Sequence, residues 1–264
     1  MAPHPLSPSP VTRERGHVSV GALFGLARSL LMYYAIPGRA GAWRRFYRRF
    51  ISPGDLCFDI GAHVGNRTAA MLAIGARVVA VEPQPLMADT LQRLYGRLSG
   101  FHLVKKAVGE AEEKSEMLVS TRTPTVSTLS GGWVDQVKRA KTFSRIRWDM
   151  RSEVEVTTLD TLIAEFGTPA FCKIDIEGYE LEALKGLSQP LPAISFEYLP
   201  LTTDRAIACV DRLMDPGRYA FNVIRAEYPR LALPDWVGAP KIREWLNARD
   251  LDDRSGEVYA RLID

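Results

Sequence analysis

The chain of 264 residues carries 34 Lys plus Arg against 31 Asp plus Glu, three cysteines, and 46% hydrophobic and 25% charged residues. That is ample apolar chain for a core, and it excludes a collagen-like, wholly disordered or disulfide-stapled protein. The net charge of +3 is uneven: residues 1–50 hold eight arginines and one acid, a sum of +7, and the rest holds 26 basic against 30 acidic residues, a sum of −4. The basicity belongs to an N-terminal arm, so no nucleic-acid partner is expected.

In chain order, four prolines among the first ten residues mark residues 1–17 as a disordered tail. Residues 18–52 read as an Arg-rich, amphipathic helical arm. Its apolar stretch Val18 to Ile36 approaches the roughly 20 residues of a membrane helix, but Gly21, Gly25 and Arg28 count against spanning. Packing on the main domain with solvated arginines is the first reading for this arm; peripheral contact with an anionic membrane surface is the second. No CxxC pair joins Cys57, Cys172 or Cys209, so a zinc knuckle is not expected and a cytoplasmic location is, with the arm as the one candidate contact to the inner membrane surface.

From residue 53 to 264 short apolar runs alternate with helical segments, the pattern of a doubly wound, mostly parallel α/β sheet with helices on both faces. Strands are expected at 55–60, 76–81, 101–108, 116–120, 153–157, 171–175, 193–198 and 219–224. Helices are expected at 67–74, 84–98, 159–166, 179–187 and 205–214, and residues 228–264 read as mixed helix and coil with an ordered end. Residues 121–151 form the exception, a flexible loop with seven basic and two acidic residues and a Ser, Thr and Gly-rich front half. Such a loop is a candidate lid or clamp for an anionic acceptor, with Trp133 and Trp148 as candidate sugar platforms.

The densest chemical signal is LCFDIGAHVGNRT, residues 56–68. A strand ends in Asp59, turns through Gly61 and opens a helix near Gly65, where glycine permits close approach of backbone to a ligand. At the end of the next strand stands Glu82, placed to accept two ribose hydroxyls. The dinucleotide fingerprint fails, because His63 stands where its second glycine should be. A carboxylate at the strand tip would repel a pyrophosphate, but it suits the cationic amino-acid end of S-adenosylmethionine. A nicotinamide or flavin nucleotide, or a glycine turn with no ligand, are the alternatives. A second cluster, FCKIDIEGYELEALKG (171–186), ends its strand in Asp175 and puts Glu177 in the following turn; Glu180 and Glu182 read as acids of the first helical turn. A third strand end carries Glu197 in ISFEYLP.

DIGAHVGNRT, VVAVEPQP, VEVTTLDTL and KIDIEGYELEALKG together resemble the FkbM family of S-adenosylmethionine-dependent methyltransferases, over about residues 53–225. The resemblance implies a class I methyltransferase fold with one antiparallel strand near the end, S-adenosylmethionine as cofactor, and methylation of a hydroxyl on a sugar, glycan or natural product. Carried over by position, Asp59, Gly61 and Gly65 line the methionine side and Glu82 holds the ribose. Asp175 and Glu177 face the transferred methyl group or the acceptor, and Ala62, His63 and Pro83 complete the cofactor contacts. His63 departs from the asparagine usual in DIGANxG.

A hydroxyl acceptor must be held in line with the carbon–sulfur bond and gains from a base that takes its proton. Glu177 ranks first for that role, Glu197 second and His63 third. A divalent ion bridging Asp175, Glu177 and Glu197 is an alternative way to polarise the acceptor, although no spacing is diagnostic of a metal and none is expected. N-methylation, methylation of a protein or lipid headgroup, and a binding module without catalysis at a membrane surface are the rival functions.

Overall fold

In a computed structural model that describes residues 20–138 and 143–263, the continuous apolar runs become the centre of a seven-stranded sheet. The strands β1 (Leu56–Ile60), β2 (Arg77–Val81), β3 (Phe101–Val104), β7 (Phe171–Ile174) and β8 (Ala193–Tyr198) run parallel. The order is β3-β2-β1-β7-β8-β10-β9, with β10 (Gly256–Leu262) antiparallel to both β8 and β9 (Tyr219–Arg225). Every residue of β1 and β7 is buried, as expected of strands covered on both faces, where period-2 alternation disappears.

Two apolar layers account for that cover. One side packs Phe58, Ile60, Val79 and Ile174 against α6 (Leu159–Phe166), α7 (Glu180–Lys185), α8 (Thr203–Leu213) and α9 (Ala239–Asn247). The other packs Cys57, Val78, Phe171 and Tyr259 against α3 (Asn66–Leu72) and the arm helix α2 (Arg39–Tyr47). Trp43, Phe46 and Tyr47 of α2 are buried while Arg44, Arg45, Arg48 and Arg49 are exposed, so α2 is part of the domain and its arginines are solvated. The preceding helix α1 (Val20–Tyr34) also lies on the domain; α4 (Pro85–Tyr95) receives it through a Tyr34–Tyr95 hydroxyl pair at 2.6 Å. The Pro-rich tail lies outside the described residues.

Three expectations change. The strand expected at 101–108 is two: β3 stays in the large sheet, and β4 (Ala107–Val108) crosses to a second sheet of order β4-β6-β5 with β5 (Glu113–Val119) and β6 (Met150–Thr157). Residues 228–264 are more regular than mixed helix and coil, supplying α9 and β10. Finally, in place of the long irregular loop at 121–151, the described residues form a 3-10 turn (Pro124–Val126), the helix α5 (Gly131–Val137) and the start of β6. The physical reason lies in Trp133, fully buried with Val134 and Val137 in a satellite core. Trp148 packs edge-on against it, and its indole Nε1 donates to the Val126 carbonyl at 2.8 Å. The Trp133 ring is not free to stack on a sugar.

Candidate active site at the switch point

The chain leaves β1 towards β2 and β3 and returns on the other side at β7, so the carboxyl ends of β1 and β7 flank the crevice where open α/β sheets bind ligands. The two turns touch. Gly61 has φ +77°, and a Cβ there would lie 1.9 Å from the Asp175 carbonyl oxygen; only glycine lets the β1 turn pass under the β7 turn. His63 follows with φ +50°, a conformation that Asn and His tolerate better than most residues. Its backbone N–H donates to Glu82 Oε2 at 2.8 Å, and Gln84 N–H donates to Oε1 at 2.8 Å. Glu82 is thereby fixed at the cleft wall, and burial, offset in part by these donors, pushes its carboxyl up to about 7.

The main cleft is lined by Gly61, His63, Glu82, Pro83, Asp175 and Glu177, with Tyr33 of α1 on one side and Pro124, Ser127 and Thr128 on the other. A smaller adjoining cavity holds Asp59 and Ala62 together with Asn66, Arg67 and Lys173. Asp59 is fully buried; Thr68 Oγ1 donates to its Oδ2 at 2.6 Å, while Oδ1 has no protein partner. Both ring nitrogens of His63 are also without a protein partner, and burial lowers this imidazole to about 4, which makes it a neutral group at pH 7 and a weak base. Gly65 lines neither cavity. Leu91 and Tyr95 side chains stand 2.6 Å from where its Cβ would be, so helix packing requires this glycine.

A second cavity opens on the far side of Asp175, lined by Asp175, Glu197, Arg39, Glu227, Arg254 and Glu257. Asp175, Glu177 and Glu197 thus stand between the two spaces, with one oxygen of each within 4.8 Å of the others. Three acids so close cannot all ionise freely. Burial works to raise Asp175, but the Lys173 ammonium, 2.8 Å from its Oδ2, prevails and holds it below the usual carboxylate range. Glu177 is pushed well up by burial and then by the Asp175 charge; Glu197 is pushed well up by burial and then by Glu177 and Asp175. The trio therefore combines one ionised carboxylate with two that hold protons more tightly than usual, a set able to accept a proton from a bound hydroxyl or to meet a cation.

The turn that presents Glu177 is held from three sides. Glu180, expected only to favour the helix dipole, instead accepts the Ile176 and Gly178 N–H groups on Oε1 at 3.0 and 3.2 Å. Thr128 Oγ1 donates to the Glu177 carbonyl at 2.7 Å, and Arg205 Nη1 to the Gly178 carbonyl at 2.6 Å. Glu177 takes φ +55° and Gly178 φ +83°, and a Cβ on Gly178 would lie 2.1 Å from Trp133 Cδ1. Gly178→Ala is expected to cost roughly 3 kcal/mol, from the left-handed backbone and overpacking together, read as a lowered urea midpoint.

The sequence did not single out Lys173, Arg67 or Tyr33. Lys173 had a signal, a lone cation in a buried strand two residues before Asp175 and so on the same face. The segment 121–151 acts through its neutral front half: Ser127 Oγ and the Pro124 carbonyl bond the Gln84 side chain, each at 3.2 Å. None of the described arginines of that segment lines either cavity.

Residues 59–250 match the Methyltransferase FkbM domain family. The hexuronic acid methyltransferase AglP of Haloferax volcanii is 26% identical over 147 residues, 54% of this chain, and the match spans about half (54%) of that relative. Among solved structures, the precorrin-6y C5,15-methyltransferase of Geobacter metallireducens GS-15 is similar over 85% of this chain and 86% of that one, with 14% identity and a TM-score of 0.44. A TehB-like S-adenosylmethionine-dependent methyltransferase of Corynebacterium glutamicum is similar over 90% and 94%, with 9% identity and a TM-score of 0.45. With a family match that runs from the β1 carboxylate through β7, β8 and β9, and a strand order that is that of a class I methyltransferase, the chain belongs to the FkbM family of S-adenosylmethionine-dependent methyltransferases.

Proposed function

We propose that the protein methylates an oxygen of a sugar or glycan, with an acidic sugar as the preferred class of acceptor. The observation that carries this is the carboxylate trio Asp175, Glu177 and Glu197 standing between the two cavities. A neutral amine attacks without prior proton removal, whereas a hydroxyl gains from a base at hand. Arg254 at the second cavity supplies counter-charge for a carboxylate-bearing sugar, beside Arg39, which Glu227 holds at 3.0 Å, and the similarity to a hexuronic acid methyltransferase fits the same class.

The residues suit S-adenosylmethionine. Glu82 offers two carboxylate oxygens for ribose hydroxyls, and the unpartnered Asp59 Oδ1 beside Asn66 and Lys173 suits an ammonium and carboxylate pair. When bound, the cofactor supplies a methyl group on a cationic sulfur. Tyr33 and the Pro124–Thr128 turn close the cleft over it, Asp175 with Lys173 fixes the charge at the junction, and Glu177 receives the acceptor hydroxyl proton on a carboxylate oxygen. His63, neutral and buried, is a polar contact in this scheme and not the base.

Incubation with S-adenosylmethionine and a panel of neutral and acidic sugars tests the reading. Release of S-adenosylhomocysteine with a uronic acid that gains the mass of one methylene is the expected result; transfer to amines alone overturns it. For the cofactor, Glu82→Ala is expected to weaken binding at least tenfold, about 1.4 kcal/mol. Because the free carboxyl is raised to about 7 and hydroxyl donors favour its ionised form, wild-type affinity should rise from about pH 6 to about pH 8, with proton release on binding. Calorimetry in two buffers of different ionisation enthalpy reads both.

A further inference from the structure

Among the described residues fourteen large apolar side chains are exposed, and seven of them fall between Val20 and Ile36. Within α1, Val20, Leu23, Phe24, Ala27, Leu31 and Tyr34 are all exposed, and at 3.6 residues per turn they fall within an arc of about 100°. The buried positions of the same helix are Gly25 and Ser29. A helix that only packs on its own domain turns its large apolar side chains inward; α1 turns Gly25, Ser29 and Tyr33 inward and leaves Phe24 65% and Leu31 70% exposed.

The occupant of this stripe is set by charge. In sequence, α1 is preceded by Arg13 and Arg15 and followed by Arg39, Arg44, Arg45, Arg48 and Arg49, of which the last four are exposed on α2 and just after it. A second copy paired about a two-fold axis would bring two +7 arms together, a like-charge juxtaposition. An anionic lipid surface has the opposite sign, and the −4 of the remaining chain turns the other faces away from it. Among the described residues α1 has 15 residues, fewer than the roughly 20 that spanning needs, and in the bent α1–α2 pair Trp43, Phe46 and Tyr47 are buried in the domain.

We propose that α1 is an interfacial helix that docks the enzyme on an anionic lipid bilayer, its Val20–Leu31 stripe inserted at the headgroup boundary and the flanking arginines on the lipid phosphates. Ile36, Pro37, Gly38 and Arg39, the connection that follows the stripe, line the second cavity. The docked helix is therefore directly joined to the wall of the space assigned to the acceptor, and an acceptor carried on a lipid would be met where it is held.

The full chain is sedimented with vesicles of phosphatidylcholine containing about one third phosphatidylglycerol, and with phosphatidylcholine alone. Binding to the anionic vesicles, at least tenfold weaker to the neutral ones and reversed by salt, is expected. Phe24→Glu with Leu31→Glu, and separately Arg44→Glu with Arg48→Glu, should each lower the vesicle partition coefficient at least tenfold while S-adenosylhomocysteine affinity stays unchanged, which shows that the fold is intact. No binding to anionic vesicles, or equal binding by both double variants, overturns the proposal. So does a solution dimer that the Phe24 and Leu31 substitutions dissociate without any effect on vesicle binding, because a second copy then covers the stripe. None of these readouts uses turnover, so an error in the acceptor class leaves them unaffected.

Discussion

Arg67→Met is expected to destabilise the protein by roughly 3–5 kcal/mol, the cost of breaking a buried ion pair from one side. Arg67 is 3% exposed. Its guanidinium stacks on the Trp43 ring at 3.1 Å, and Nη2 bonds Glu257 at 2.7 Å and Glu227 at 3.0 Å. One side chain thereby ties the first turn of α3 to the arm helix α2, to β10 next to the edge strand β9, and to the turn after β9. Burial works against the charge of Arg67, yet Glu257 ahead of the other neighbours prevails and keeps it protonated. Glu257 is itself raised, because burial outweighs the attraction of Arg67. Methionine fills much of the space but leaves the Glu257 carboxyl buried with only the Tyr259 hydroxyl, at 2.7 Å, to bond it. At about 2–4 °C per kcal/mol for a chain of this size, the loss corresponds to roughly 10 °C in Tm. Arg67→Met with Glu257→Gln should recover more than half of it, since both charges then go together. A single-variant loss below about 1 kcal/mol would mean that the pair is replaced by solvent at no cost and that the arm is held by its aromatic packing alone.

Arg67 also shows what was legible in the sequence. The strands β1, β2, β7 and β8 stand out because each is an apolar run bounded by turn residues, and the acids that end them fall on one sheet edge once the strands are parallel. Asp59, Glu82, Asp175, Glu177 and Glu197 could be gathered on that ground. Arg67 and Glu257 are 190 residues apart, and each is one charge among many on a helix start or a late strand; nothing local says that they are buried together. The same applies to β10, whose seven residues gain their meaning only by insertion between β8 and β9. The segment 121–151 misled through composition, because its basic residues drew attention while the ordering came from Trp133 and the Thr128 hydroxyl. Gly65 and His63 were marked for a ligand by their motif; the structure packs Gly65 against Leu91 and Tyr95 and leaves both His63 ring nitrogens unpartnered at the wall of the main cleft.

The largest functional effect is expected at Glu177. Glu177→Gln keeps the shape of the turn, since Glu180, Thr128 and Arg205 hold it through backbone groups, and removes only the ability to take a proton. Turnover should fall roughly 10²–10⁴-fold, the span of a lost general base, while S-adenosylmethionine affinity stays within about twofold. The pH profile carries the sharper test. A base works when deprotonated, and Glu177 is raised by burial and then by the Asp175 charge, so kcat/KM should climb with pH through a midpoint above the ordinary carboxylate range and then level off. Asp175→Asn removes the second of those causes and should move the rising limb to lower pH; Glu177→Gln should flatten it. Glu197→Gln should leave the limb in place, because the charges that raise Glu177 are those of Asp175 and Glu180. If instead Glu197→Gln flattens the profile and Glu177→Gln does not, the proton goes to the β8 strand end and Glu197 is the base.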